Sequence, residues 1–354
     1  MKIEEVDIKN MRGLKDFKID FKDENENPLT LAIIIGVNGT GKTTLLDFIA
    51  TSIEDIKNET DLRSGNILWI ESGKSPISEI VSSHNASTLL NERNNHLIEY
   101  YPAEASPQDT SEVLEKYVID YIDKLVFEND LRAQQGYEKV REYIESIFHD
   151  SESNVRFEGI SAKRKLRFSN STGAEFGTEN LSSGERKMLA KLLPIYLGEM
   201  QGKVLLFDEP ENSLHPAWQR ELLPALRRAS LENDCQIIIA THSPHIIGGA
   251  KGEEIRILMR EPDGQIVSNS PDDGPFGWEV DSILFYLQGL RQQRTPEVDA
   301  KLEKLMDEAM EGKDATQNPL FIELENLLGV SDKGLIGIRA EILRQRRHEK
   351  NQAS

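Results

Sequence analysis

A glycine-rich turn between an apolar run and a helical segment constrains this 354-residue chain more than any other feature. Residues 29–35, before the turn, are almost all apolar, as in a strand that is buried on both faces. The residues after the turn, about 42 to 56, have helical periodicity. With the further strands and helices that alternate after residue 181, this pattern predicts an α/β fold with a mostly parallel sheet flanked by helices.

The turn reads Gly-Val-Asn-Gly-Thr-Gly-Lys-Thr over residues 36–43 and matches the pattern G-x-x-x-x-G-K-[ST]. Glycines allow backbone N–H groups to point inward around an anion, and the N-terminus of the following helix adds partial positive charge. In such loops the lysine reaches the β- and γ-phosphates and the threonine hydroxyl can bind Mg²⁺. The sequence therefore predicts a site for ATP and Mg²⁺, formed by Gly36, Asn38, Gly39, Thr40, Gly41, Lys42, Thr43 and Thr44.

Two acids follow a second apolar run. Residues 204–207 predict a buried strand, and Asp208 and Glu209 stand at its carboxyl end, where ligands bind in open α/β sheets. Asp208 is expected to hold Mg²⁺ together with Thr43, and Glu209 to act as the general base for an attacking water. A simple acidic pair that caps the next loop is the alternative, which the nearby phosphate loop disfavours.

Several further segments resemble one family. Residues 181–185, Leu-Ser-Ser-Gly-Glu, resemble the LSGGQ signature of ATP-binding-cassette ATPases, and Glu185 precedes Asp208 by 23 residues. The segments DEPENSLHP (208–216) and ATHSP (240–244) resemble the soluble branch of that superfamily, which includes SMC, RecF and OLD heads and ATPases of phage-defence operons. The opening IKNMRG (8–13) is similar to the start of that branch, and the helical tail resembles that of PtuA-like ATPases of Septu and retron systems.

The resemblance implies a P-loop NTPase of ABC-ATPase type with a mixed sheet. It also implies a mechanism in which two heads pair head to tail and bury two ATP molecules. Ser182, Ser183 and Gly184 of one copy would then face the γ-phosphate held by Lys42 of the other, and hydrolysis would loosen the dimer. His242 would contact the γ-phosphate or the catalytic water. Arg12 would lie near the nucleotide, although a surface position in a turn is an equal alternative.

Three functions are compatible with these motifs. The first is the ATPase or sensor subunit of an anti-phage defence system that acts with a separate nuclease, since the chain has no nuclease constellation of its own. The second is a RecF-like ATPase of DNA repair or recombination. The third is the ATP-binding subunit of a transporter, for which a clear Q-loop would be expected; Gln108, Gln134 and Gln135 are only weak candidates for it.

The net charge of −19 is opposite in sign to that usual for a protein that coats DNA with its own surface, and its simplest role is to keep the protein soluble. Any DNA or RNA contact must be local or supplied by a partner. The basic cluster at 163–167 is a candidate, although a solvated strand edge explains it better, and for a second cluster at 344–350 a frayed helix end is an equal explanation. A single cysteine, Cys235, excludes a disulfide framework. Without an apolar run of transmembrane length or a signal peptide, the expected location is the cytoplasm, with no membrane partner.

Two regions are expected along the chain. Residues 1–275 are assigned to the ATPase head, with a helical insertion at about 111–150, and residues 280–354 to a C-terminal helical region. Thr295 is expected to cap the helix that begins at Pro296. Two apolar stripes in the tail could dock a partner or pack on the head: Val298, Leu302, Leu305 and Ala309 form one, and Leu320, Leu324, Leu327 and Leu328 form the other.

Overall fold

The computed structural model of the chain describes residues 2–56, 67–71, 98–101, 110–128, 132–149, 151, 153–198, 200, 202–212, 214–271, 273–290 and 294–352. The chain divides into two compact units, Met1–Gly289 and Leu290–Ser354. Each unit has a hydrophobic core of its own, so each is described by itself.

The strands of the described residues all belong to the first unit. In chain order they are β1 (Lys2–Met11), β2 (Leu14–Asp20), β3 (Leu31–Gly36), β4 (Ile67–Glu71), β5 (Ile98–Tyr101), β6 (Arg156–Ile160), β7 (Leu166–Ser169), β8 (Glu175–Gly177), β9 (Val204–Asp208), β10 (Gln236–Ala240), β11 (Ile255–Arg260) and β12 (Ile266–Asn269).

The central sheet has the strand order β12-β11-β3-β10-β9-β5. All of its pairs are parallel except β11 with β12, which is antiparallel, so the sheet is mixed as predicted. Two smaller sheets accompany it, with the orders β2-β1-β4 and β6-β7-β8. Because β3, β10 and β9 are neighbours and parallel, the loops that follow their carboxyl ends emerge at one edge of the sheet.

The first unit also contains α-helices among the described residues. They are α1 (Lys42–Ile56), α2 (Thr110–Phe127), α3 (Ala133–Ile147), α4 (Ser183–Leu197), α5 (Pro216–Glu232), α6 (Pro244–Ile247) and α7 (Val280–Tyr286). The helical insertion predicted at about 111–150 thus contains two helices, α2 and α3, and α4, which begins in the signature segment, ends at Leu197.

Alternation along the central strands divides the core into two layers. On β3, Ile33 and Ile35 join a cluster with α2 to α5, whereas Ala32 and Ile34 join a cluster with α1, β1 and β2. Successive side chains of a strand point to opposite faces, which is why a continuous run of isoleucines can feed both layers. The predicted α/β fold, with a mixed sheet between helices, is confirmed.

The second unit is a helical cluster of α8 (Pro296–Met310), α9 (Pro319–Leu328) and α10 (Lys333–Gln352). Its helices pack against one another around Leu305, Phe321 and Leu324. Leu327 was expected in this stripe but is 67% exposed, and Thr295 occupies the N-cap of α8 without a side-chain cap hydrogen bond. Among the helices of the described ranges, none combines the length and apolar character that crossing a bilayer requires.

Candidate functional site

The turn between β3 and α1 has the backbone that a phosphate loop needs. Three of its glycines have positive φ angles of 155°, 81° and 89°, namely Gly36, Gly39 and Gly41. A Cβ atom on Gly36 would lie 2.5 Å from the carbonyl oxygen of Leu258 and 2.8 Å from the hydroxyl oxygen of Thr40. Both the backbone conformation and the lack of space therefore require glycine at this position.

Lys42 lies within this loop. Its side chain is buried, and its Nζ donates to the carbonyl oxygen of Gly36 at 2.9 Å. Burial lowers the pKa of Lys42, whereas the nearby carboxylates of Glu209, Asp208 and Glu211 raise it. The loop thus holds the ammonium group close to its own backbone, at the first residue of α1.

Thr43 and Asp208 meet across the site as the sequence predicts. The Thr43 hydroxyl donates to Asp208 Oδ2 at 2.8 Å. Asp208 Oδ1 is buried and has no hydrogen-bond partner among the described residues. A buried, unpartnered carboxylate oxygen beside a hydroxyl is the kind of oxygen donor set that Mg²⁺ prefers, so these residues fit the expected metal. Burial, its largest cause, raises the pKa of Asp208 to about 6.

Replacing Asp208 by asparagine should stabilise the nucleotide-free protein in a pH-dependent way. Because the folded-state pKa is raised, the stability linked to Asp208 is present below its unfolded pKa of 3.8 and is lost as the pH rises through about 6. Urea unfolding in EDTA at pH 4.5 and 7.5 should show the free energy of unfolding of Asp208→Asn, relative to that of the wild type, rising by about 2 kcal/mol from the lower to the higher pH. If the free energies of unfolding of the variant and the wild type differed by the same amount at both pH values, the raised pKa of Asp208 would be contradicted.

Glu209 and His242 line one open cleft of about 410 Å³, together with Asn38. Glu209 has a left-handed φ of 46°, and its N–H donates to the carbonyl oxygen of Ala240 at 2.8 Å. This unusual backbone turns the chain immediately after β9 and is of the kind found at functional sites. The cleft therefore joins the expected general base and the expected γ-phosphate contact.

The imidazole of His242 is favoured in its neutral form. Burial lowers its pKa and the Lys42 ammonium lowers it further, while Glu209 opposes the shift. A neutral imidazole carries one donor and one acceptor nitrogen, so it can donate to a phosphate oxygen or accept from a water.

The signature segment forms the N-terminus of α4. Ser182 is its N-cap: the Ser182 hydroxyl accepts from the Glu185 N–H at 3.2 Å, and the Glu185 carboxylate accepts from the Ser182 N–H at 2.8 Å. Ser182 and Ser183 are exposed, whereas Gly184 is buried. A Cβ atom on Gly184 would lie 2.0 Å from Trp218 Nε1. The serines are accessible to another molecule, and the glycine serves the packing of α4 on α5.

The remaining predicted residues lie around the phosphate loop. Arg12 occupies the turn between β1 and β2 with a φ of 51°, and its guanidinium is 3.6 Å from the carboxylate of Asp47 on α1. Thr44 is half-buried in the first turn of α1, and Asn38 is exposed at the cleft. The structure thus places Arg12 beside the helix that follows the phosphate loop.

Of the Q-loop candidates, the two that the structure describes, Gln134 and Gln135, do not line this cleft. Gln108 lies outside the described residues. Gln135 accepts from the Arg132 N–H at the start of α3, and Gln134 donates to Glu138 in the same helix. These two side chains stabilise a helix terminus.

Three residues that the sequence did not single out hold the segment 241–243, here called the switch loop. Glu211 accepts hydrogen bonds from it, Gln219 accepts from the Ser243 hydroxyl at 2.6 Å, and Gln288 donates to the His242 carbonyl oxygen at 2.7 Å. In the sequence, only the position of Glu211 as the second glutamate of Asp-Glu-Pro-Glu could have indicated that it has a role in the site. Its role depends on the pairing of β9 with β10, which sequence spacing does not reveal.

The basic cluster at 163–167 is largely neutralised. Its cations pair with acids from other elements: Arg164 with Asp123, Lys165 with Glu115 and Arg167 with Glu175. In the second cluster, Arg344 pairs with Glu341 and Arg346 with Asp314. These pairs favour the interpretation as solvated structural edges over a nucleic-acid surface.

Two family models match the chain. One is described as an "AAA domain" and as a "Type IV TA system", and it matches residues 82–248. The other is described as an "AAA ATPase domain" and matches residues 1–62. The second match contains the phosphate loop, and the first contains the signature segment, the acidic strand end and the switch loop.

Individual proteins are also similar to this chain. The Septu protein PtuA of Bacillus thuringiensis is 24% identical over 373 aligned positions, covering 88% of this chain and 91% of that protein. The "Retron Vc95 probable ATPase" of Vibrio cholerae serotype O1 biovar El Tor is 29% identical over 127 positions, covering 33% of this chain and 24% of that protein. The SMC head domain from Thermotoga maritima, at 14% identity and a TM-score of 0.45, covers 77% of this chain and 100% of that one. By its sequence the chain is thus similar to AAA-family ATPase domains and, at modest identity, to Septu PtuA and a retron ATPase.

Proposed function

We propose that this protein binds ATP with Mg²⁺ and hydrolyses it. The proposal rests on one observation: the loops after β3, β9 and β10 bring a buried lysine, a hydroxyl–carboxylate pair with an unpartnered oxygen, a glutamate and a neutral histidine to one edge of the sheet. A bound Mg²⁺ would neutralise phosphate charge in this site. Thr43 and Asp208 would hold the metal, and Lys42 would bind the β- and γ-phosphates.

The chemical step is assigned to the open cleft. Glu209 would accept a proton from the attacking water, and His242 would donate to a γ-phosphate oxygen or orient that water. Asn38 lines the same cleft and is exposed there, which suits a contact to the terminal phosphate.

The protein is further proposed to act as a head-to-tail homodimer around two ATP molecules. The cleft is open to solvent, and Ser182 and Ser183 are exposed at the N-terminus of α4, where backbone N–H groups and the helix dipole favour an anion. In this arrangement each site combines Lys42 of one copy with the signature segment of the other. Loss of the γ-phosphate removes the bridging anion, so ATP controls association.

Mixing two inactive variants tests this composite site. Ser183 is an exposed residue in the first turn of α4, so Ser183→Glu suits the helix dipole but repels a phosphate. Lys42→Ala and Ser183→Glu should each hydrolyse ATP at least about tenfold more slowly than wild type. An equimolar mixture should recover activity, because a mixed dimer contains one site with Lys42 from one copy and Ser183 from the other.

Phosphate release measures the rate of ATP hydrolysis, and light scattering measures the association of the two variants. Activity in the mixture that equals the mean of the two variants would contradict a site shared between copies. An absence of Mg²⁺-dependent phosphate release by the wild type would contradict the ATPase itself.

The biological role proposed is that of an ATPase or sensor subunit in an anti-phage defence system, acting with a separate nuclease. Similarity to a Septu protein and to a retron ATPase supports it, the former along 88% of this chain. The neutralised basic cluster at 163–167 favours this role over a RecF-like protein that contacts DNA directly.

A further inference from the structure

Glu211 is a buried acid that the proposed chemistry does not use. It follows the Asp-Glu-Pro segment after β9 and is 8% exposed. One carboxylate oxygen, Oε1, accepts three hydrogen bonds from the switch loop: from the Thr241 hydroxyl at 2.7 Å, the His242 N–H at 2.8 Å and the Ser243 N–H at 3.0 Å. The other oxygen, Oε2, is buried without a partner among the described residues.

These bonds hold the backbone on both sides of the switch histidine. Glu211 accepts from the N–H of His242, and Gln288 donates to the carbonyl oxygen of the same residue. Ser243 is further anchored through its hydroxyl to Gln219. The peptide groups around His242 are therefore tied to α5, to the end of β9 and to the segment after α7.

We propose that Glu211 is a positioning residue for His242. Its side chain is long enough for one oxygen to accept the hydrogen bonds that hold His242 in the cleft, and its negative charge is not required. The inference rests on the proposed ATPase function, because it assigns a role within that site. All three bonds end on one oxygen, so an amide oxygen in the same place can accept the same three bonds. The length of the side chain, and not its charge, is the property that the site needs.

Two conservative variants separate length from charge. Glu211→Gln keeps the reach and removes the charge, whereas Glu211→Asp keeps the charge and withdraws the oxygens by one methylene group. Glu261→Asp, at an exposed glutamate, is the matched control. For each variant, kcat and KM for ATP are measured by phosphate release, ATP affinity by calorimetry, and amide exchange at His242 and Ser243 by deuterium labelling.

Glu211→Gln is expected to keep kcat and both exchange rates within about threefold of wild type. Glu211→Asp should lower kcat about 10- to 100-fold and speed exchange at both amides about tenfold, with ATP affinity nearly unchanged, because the phosphate loop is intact. Unchanged exchange across β10 (Gln236–Ala240) shows that the sheet remains folded.

The reverse pattern, an active Glu211→Asp and an inactive Glu211→Gln, would show that the charge matters and would overturn the proposal. Equal activity and exchange in both variants would overturn it as well. If the wild type does not hydrolyse ATP, the proposed function fails, while the exchange rates at His242 and Ser243 still test Glu211.

Discussion

Replacing Lys42 by alanine is expected to weaken ATP binding at least about a hundredfold. The buried ammonium donates to Gly36 in the absence of nucleotide and would donate to two phosphate oxygens in its presence. Each charge-assisted hydrogen bond contributes about 1.5–3 kcal/mol. Without Lys42, the repulsion between the triphosphate and the carboxylates of Asp208, Glu209 and Glu211 would lose the cation that offsets it in the phosphate loop.

Calorimetric titration with Mg-ATP measures this change. Lys163→Ala is the matched control, because Lys163 is exposed on a turn. The control should bind like the wild type. ATP affinity that is equal in Lys42→Ala and wild type would mean that the turn after β3 does not bind phosphate.

Replacing Glu209 by glutamine is expected to slow hydrolysis at least about a hundredfold while leaving ATP bound. Glutamine cannot take a proton from water, but it can accept the hydrogen bond that Asn212 Nδ2 donates to Glu209 Oε2 at 3.0 Å. The γ-phosphate would therefore persist in the site. Dimers should accumulate with ATP in this variant and dissociate slowly.

Light scattering with ATP, with ADP and without nucleotide distinguishes monomers from dimers in each condition. Glu211→Gln provides an internal comparison, because only Pro210 separates the two glutamates. Of the two, only Glu209 is expected to need a carboxylate that can accept a proton. A Glu209→Gln protein that stays monomeric with ATP would contradict nucleotide-bridged dimers. One that hydrolyses ATP at the wild-type rate would contradict the role of Glu209 as base.

Local patterns predicted the parts of this site that depend on neighbours in the chain. The phosphate loop follows from glycine spacing, and Asp208 and Glu209 follow from their place at the end of an apolar strand. The structure brings Thr43 to Asp208 because β3 and β9 are both parallel neighbours of β10.

Other features depend on residues far apart in sequence, which spacing alone cannot bring together. Glu211 acts on the switch loop because Asp208 and Ala240 pair in register, so that the chain segments after them lie side by side. The acids that neutralise the cluster at 163–167 come partly from α2, about 40 or 50 residues earlier. In α9, Leu327 keeps the helical repeat of Leu320, but the buried face of the helix is centred on Phe321 and Leu324, so Leu327 is exposed.

The close approach of Gly184 and Trp218 constrains how this sequence can change over evolutionary time. An indole ring occupies the space that any side chain at position 184 would need. A lineage that acquires alanine or serine at 184 must therefore replace the ring at 218 with a smaller residue. Among homologues, the two positions should vary as a pair, with the bulk lost from one helix matching the bulk gained on the other.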